Sequence, residues 1–248
     1  MGTRQIVPIR KDGWGNYSIS EWDLKAASWQ DFHPHSEYNM VLEGELFVAA
    51  GGDVKVLQPG DVARVPAGRM GRYWAPVYAR MIGVYGPNPA GDASTGFEYW
   101  PLDSDLEIHP VDPTAEDPLE HLPGFTGVET WPDGPNLHQR PEWERNRGRF
   151  ITNSPQSGSW NDPILSTWEL ERAAWTDRHP HTEFNFVVAG ELIVEAAGER
   201  VVLHAGDSIE IAGGQLARYS APKFARMVGV YGPNPHGLAS TDFQYESI

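Results

Sequence analysis

The chain has 248 residues, with 10 Trp, no Cys and a formal net charge of −15. Without thiols there is neither a disulfide framework nor a thiolate metal site. The acidic surplus repels phosphate backbones and anionic lipid surfaces, which argues against nucleic-acid and membrane partners. No apolar run approaches the roughly 18 residues of a bilayer span, and the opening "MGTRQIVPIRKDGWGNY" lacks a signal-peptide apolar core, so a cytoplasmic protein is expected.

From the N-terminus, an arm leads into a region of short strands occupying residues 1–100. Trp22 and Leu24 stand two apart in the strand before "HPHSEYN" (33–39), the spacing of one strand face. "GDVARVPAGRMG" and "RYWAP" follow, and "ARMIGVYGPNP" (79–89) ends the region with Gly and Pro placed for turns. It resembles no phosphate loop, lacking both the glycine run and the lysine. Residues 101–158 are rich in Pro and acid and carry no sustained period. They predict a connecting segment that docks through Leu122, Trp131 and Trp143. Its His109, His121 and His138 have no partners at ligand spacing.

Residues 159–248 then repeat the first region. The offset that carries His33 onto His179 also carries Gly86 onto Gly232, and Trp14, Trp22 and Trp29 onto Trp160, Trp168 and Trp175. In the second copy a strand ends at Ala189-Gly190 and another runs through Leu192, Ile193 and Val194. After a turn at Gly198 come "RVVLH" and "GDSIEI". Short strands with turn signals about every ten residues predict an all-β barrel or sandwich in each copy. Two barrels in one chain make an intramolecular pseudo-dimer, with further homo-oligomerisation open.

His33, His35 and Glu37 recur as His179, His181 and Glu183. On an unbroken strand, residues two apart share a face, so each trio would point into one cavity. Two imidazoles and a carboxylate form the facial set of non-haem Fe(II) oxygenases and also suit catalytic zinc. Against this, Pro34 lacks an N–H and can interrupt the strand, leaving one histidine in solvent. Tyr73 and Tyr219 fall on the inward face, as hydrogen-bonders, general acids or core tyrosines. Asn39 and Asn185 share parity with the glutamates. Arg72 and Arg218 should face outward, and Arg80 and Arg226 could pair a substrate carboxylate or an acid such as Asp61 or Asp207.

These residues resemble the cupin superfamily, and the duplication resembles a bicupin: two tandem jelly-roll (double-stranded β-helix) barrels. The usual first motif is His-x-His, three or four residues, Glu, six residues, Gly. Here Glu37 precedes "YNMVLE" and Gly44, His33 takes the second histidine position and Asp31 the first; Asp177, His179, Glu183 and Gly190 repeat this. The second motif, Gly, five residues, Pro-x-Gly, two residues, His, runs from Gly60 through Pro66 and Gly68, but Gly71 stands where the histidine belongs. In the second copy Ala212 replaces the proline and Ala217 the histidine. The usual centre of three histidines and one glutamate is therefore rearranged, with His35 and His181 as extra imidazoles, Asp31 and Asp177 as ligands or orienting groups, and a larger pocket expected beside Gly71 and Ala217. The resemblance implies a bound divalent transition metal (Fe, Mn, Zn or Ni). It also implies dioxygenase-type or Lewis-acid isomerase or lyase chemistry on a small polar or aromatic organic molecule. The alternative is a metal-free bicupin that binds a sugar or metabolite without catalysis.

Overall fold

The structure, a computed structural model, describes residues 2–102, 129–131, 148–150 and 158–248. Leu122, Trp143 and the three histidines of the connecting segment lie outside the described residues. Among the described residues all regular structure is β, and no helix is long and apolar enough to cross a membrane. The chain divides into two compact units, Met1–Asp133 and Gly134–Ile248.

The first unit contains β1 (Gly2–Val7), β2 (Ser18–His33), β3 (Glu37–Gly44), β4 (Leu46–Ala50), β5 (Asp53–Leu57), β6 (Val62–Val65), β7 (Arg69–Tyr85), β8 (Thr95–Pro101) and β9 (Glu129–Trp131). The second contains β10 (Gly148–Phe150), β11 (Ile164–Arg178), β12 (Glu183–Ala196), β13 (Glu199–His204), β14 (Ser208–Ile211), β15 (Leu216–Tyr231) and β16 (Thr241–Ser247). Each forms one antiparallel sheet, ordered β1-β2-β7-β3-β6-β9 and β10-β11-β15-β12-β13; β4 and β5 form a hairpin against β7, and β8 and β16 pair with β2 and β11. The segment read as a connection thus adds β9 to β6 and β10 to β11.

The long strands explain the barrel. β7 is 17 residues long and pairs with β2 along one edge and with β3 and β4 along the other. Bulges let β2 and β11 bend halfway. The register shifts between Lys25 and Ala27 and between Glu171 and Ala173, where Ala26 and Arg172 take left-handed φ values of 42° and 46°. The motif glycines Gly44 and Gly190, with φ of 76° and 79°, admit no side chain, because a Cβ would collide with the carbonyls of Tyr78 and Phe224. Inward residues fill the two cores: Leu24, Leu46, Val48 and Met81 in the first, Leu170, Leu192, Val194 and Met227 in the second. Truncating one such side chain to alanine is worth about 2–5 kcal/mol, so each core stabilises its own site.

Candidate metal centre

The strand is broken where the sequence suggested continuity. β2 ends at His33 and β3 begins at Glu37, leaving Pro34, His35 and Ser36 in a turn. Pro34 has no N–H for the ladder, and the residues flanking β7 clamp the turn instead: Gly68 N donates to His33 O at 2.8 Å and Gly86 N to Ser36 O at 3.0 Å. Gly214 and Gly232 do the same for His179 and Thr182, at 2.7 and 2.8 Å. The break does not expel His35 into solvent; it is 4 % exposed, with its ring near Trp14 and Tyr85.

What converges is Asp31, His33 and Glu37, and in the second unit Asp177, His179 and Glu183. His33 Nε2 lies 2.9 Å from Asp31 Oδ1 and 2.7 Å from Glu37 Oε2. His179 Nε2 lies 2.9 Å from Asp177 Oδ2 and 3.1 Å from Glu183 Oε2. Asp31 and His33 share a face because they alternate on β2; Glu37 meets them from the far side of the turn. In the first unit Asp31 Oδ1, His33 Nε2 and Glu37 Oε2 are all buried without a hydrogen bond, so the imidazole N–H axis is directed at neither nearby oxygen. His35 stands outside this convergent set. Its ring is 5.5 Å from that of His33 and its Nδ1 faces Ser36 O at 3.2 Å. His181 is placed alike, 4.9 Å from His179 with Nδ1 facing Thr182 O at 3.3 Å.

Burial opposes charge on His33, but close contact with Glu37 and Asp31 outweighs it, and the imidazole is pushed up to about 10. His179, beside Glu183 and Asp177, behaves the same way and also reaches about 10. Burial also opposes charge on Glu37 and Glu183, yet the adjacent imidazoles hold both carboxyls below their usual value. The second histidine goes the other way. Burial, then the charge on His33, lowers His35, and the same causes take His181 down to about 4.

Asn39 Nδ2 donates to Glu37 Oε1 at 2.9 Å and Asn185 Nδ2 to Glu183 Oε1 at 3.0 Å, fixing one carboxylate oxygen and leaving the other for the cluster. Trp168 Nε1 steadies Asn185 in turn, at 2.9 Å. Tyr73 is fully buried among Trp22, Trp29 and His33. Its ring takes the space the sequence suggested would be open, since a Cβ on Gly71 would meet the Tyr73 hydroxyl at 2.5 Å. Tyr219 donates to Glu183 Oε2 at 2.7 Å. Burial and the neighbouring glutamate raise both phenols well above their ordinary value, so both stay protonated.

Tyr85 and Tyr231 escaped the sequence reading. Tyr85 sits opposite Glu37 in the ladder, and its hydroxyl is 2.7 Å from Ser20 Oγ. The signal was a glycine two residues earlier on the same face. A Cβ at Gly83 would collide with the Tyr85 hydroxyl, and one at Gly229 would meet that of Tyr231 at 2.6 Å. The arginines do not reach the cavity. Arg80 pairs with Glu21 and Glu43 at 3.0 and 2.7 Å, and Arg226 pairs with Glu169. Asp61 and Asp207 instead accept backbone N–H groups of Gln58 and His204. Outward-facing Arg218 pairs with Glu195 and Glu246.

A family model described as "Cupin domain" matches residues 21–77 and, separately, 166–228. The chain is a bicupin. A sequence comparison with curated proteins gives no match, but solved structures share the fold. One, from work on the substrate binding mode and reaction specificity switch of an oxalate decarboxylase, superposes with a TM-score of 0.69 at 12% identity, covering 96% of this bicupin and 74% of that chain. A deletion mutant of the Bacillus subtilis oxalate decarboxylase gives 0.68 at 12% identity with the same coverage. A third structure, from a study of the Mn(II) centres of the Bacillus subtilis enzyme, gives 0.69 at 13% identity, again over 96% and 74%.

Proposed function

We propose that this bicupin is a metal-dependent enzyme acting on a small organic molecule, with one divalent transition metal held by Asp31, His33 and Glu37 and another by Asp177, His179 and Glu183. The observation that carries this reading is the convergence of three buried donor atoms that make no hydrogen bonds with one another in the first barrel. Cis ligands about 2.1 Å from one octahedral metal stand about 3.0 Å apart, close to the 2.7 and 2.9 Å from His33 Nε2 to its two oxygens. Two carboxylates to one imidazole favour Mn or Fe over the softer choices. The Mn(II) centres named for the Bacillus subtilis relative agree with that preference.

A bound divalent metal supplies Lewis acidity or, as Fe(II), redox chemistry towards dioxygen. The chain's residues do the rest. Asn39 and Asn185 aim the glutamates; the Tyr219 phenol holds Glu183 by its other oxygen, and the Tyr73 phenol, protonated beside Glu37, is the matching proton donor of the first barrel. His35 and His181, with Nδ1 turned to a backbone carbonyl, leave Nε2 as the nitrogen available to a bound molecule.

A second reading, a metal-free binding barrel, has one observation in its favour: His33 and His179, protonated, lie within ion-pair distance of both carboxylates and would neutralise part of their charge without an ion. Metal analysis of full-length protein purified without chelator decides between them. The enzyme reading expects close to one metal per barrel, lost in a His33→Ala/His179→Ala variant. Less than about 0.2 per barrel, unchanged by that variant, sinks it.

A further inference from the structure

The cavity of the first barrel narrows the substrate. It encloses about 180 Å³, close to the size of a single six-membered ring, since an apolar cavity of about 150 Å³ accepts benzene. Its walls include Trp22 and Trp29, Ile9 and Phe97, and the uncharged Ser20 and Gln5. Asp31, His33 and Glu37 also line it. Among the described residues no lysine or arginine lines it. Two of the three arginines of β7 are engaged elsewhere: Arg80 with Glu21 and Glu43, and Arg72 stacked 4.8 Å over Trp100.

Charge sharpens the point. A divalent ion held by Asp31 and Glu37 is neutralised by them, whereas the usual cupin set of three histidines and one glutamate leaves one positive charge. Without the ion, two carboxylates face one imidazole. With the ion the site is neutral, and without it the protonated His33 already faces two carboxylates, so an entering carboxylate would be buried with no unpaired cationic side chain to meet it, which is steeply unfavourable. Trp faces and a ring-sized volume instead suit a flat apolar body.

We infer that the first barrel binds an uncharged, ring-sized organic molecule carrying a hydroxyl or carbonyl oxygen, and rejects small carboxylates such as oxalate. The oxygen requirement rests on the metal reading above; the charge preference does not.

The test uses the full chain, loaded with Mn²⁺ or stripped by chelator, and calorimetric titration with benzyl alcohol, benzoate and oxalate. Benzyl alcohol and benzoate present the same ring and differ in charge. Benzyl alcohol should bind at least about tenfold more tightly than benzoate in both states, with oxalate weaker still. Ile9 and Phe97 are 50% and 59% exposed, so Ile9→Arg and, as a second variant, Phe97→Arg place a cation at the mouth at little cost to folding. Either should narrow the gap and thereby locate binding in this barrel. Benzoate or oxalate binding as tightly as benzyl alcohol overturns the inference, as does failure of benzyl alcohol to bind or a gap untouched by both arginines. No Mn²⁺ uptake with the preference intact removes the metal and upholds the charge rule. Mn²⁺ uptake with benzoate preferred removes the charge rule alone.

Discussion

Restoring the histidine usual in the family at position 71 should damage this protein unless Tyr73 is removed with it. A Cβ on Gly71 would meet the Tyr73 hydroxyl at 2.5 Å and its ring carbons at 2.8 and 2.9 Å. Tyr73 is fully buried, against Trp22 and Trp29, so its ring cannot swing away cheaply. Overpacking of this kind costs about 1–3 kcal/mol, a fall in Tm on the order of 2–10 °C for a domain of this size. Tyr73→Ala alone opens a large hole and costs about 3–5 kcal/mol. In Gly71→His/Tyr73→Ala the imidazole takes part of the vacated space, so the double variant should be less destabilised than the sum, with a coupling of about 1–3 kcal/mol. Denaturant melts of the four proteins, with and without Mn²⁺, complete the cycle, and the double variant should also retain metal. Additivity within about 0.5 kcal/mol, or a Gly71→His protein as stable as the parent, would refute the claim that the phenol occupies the histidine's place.

The two tyrosines should respond differently to loss of their hydroxyls. Tyr219→Phe removes a 2.7 Å donor to buried Glu183 and should cost about 1–3 kcal/mol. Tyr73→Phe should be nearly neutral in stability, since the Tyr73 hydroxyl finds no hydrogen-bond partner among the described residues; equal losses in thermal melts would contradict this. In chelator-treated protein, His33 and His179 hold a proton up to about 10. Their contribution is fully present below the unfolded value near 6.5 and is lost as pH rises through about 10, so the metal-free Tm should fall over that window. The same proton must leave when a metal enters. Titration of Mn²⁺ at pH 8 in buffers of differing ionisation heat should show about one proton released per metal, and none released would contradict the protonated imidazole.

Much of the barrel was legible because strand alternation, turn glycines and a gap-free repeat all point the same way. Gly44 and Gly190 show why such signals survive: a carbonyl fills the space a side chain would need. The site was legible in part. His33 and Glu37 stood at recognisable spacing, but the trio His33, His35 and Glu37 presumed a continuous strand. Pro34 breaks it, and the convergent third donor becomes Asp31, two residues back on β2, while His35 turns against Ser36 O. Tyr85 was hidden for another reason. Its position on β7 is apolar in pattern, Gly83 two residues earlier marks only that its ring needs room, and pairing with Glu37 across the sheet is what places it at the site. Pairing between distant strands is a tertiary fact that local periodicity does not carry.

One strand has consequences beyond the residues it bears. β7, with 17 residues, would measure roughly 55 Å if straight, yet Gly68 before it and Gly86 after it both hold the short turn after His33. The strand is a hoop fastened at its own ends, and the donor cluster sits at the clasp. Loops such as the β4–β5 tip can lengthen without disturbing the clasp, whereas one residue gained or lost in β7 would part it. Opening the site and opening the barrel are then a single event, so the donors are held ready by the stability of the whole domain and not by the turn that carries them.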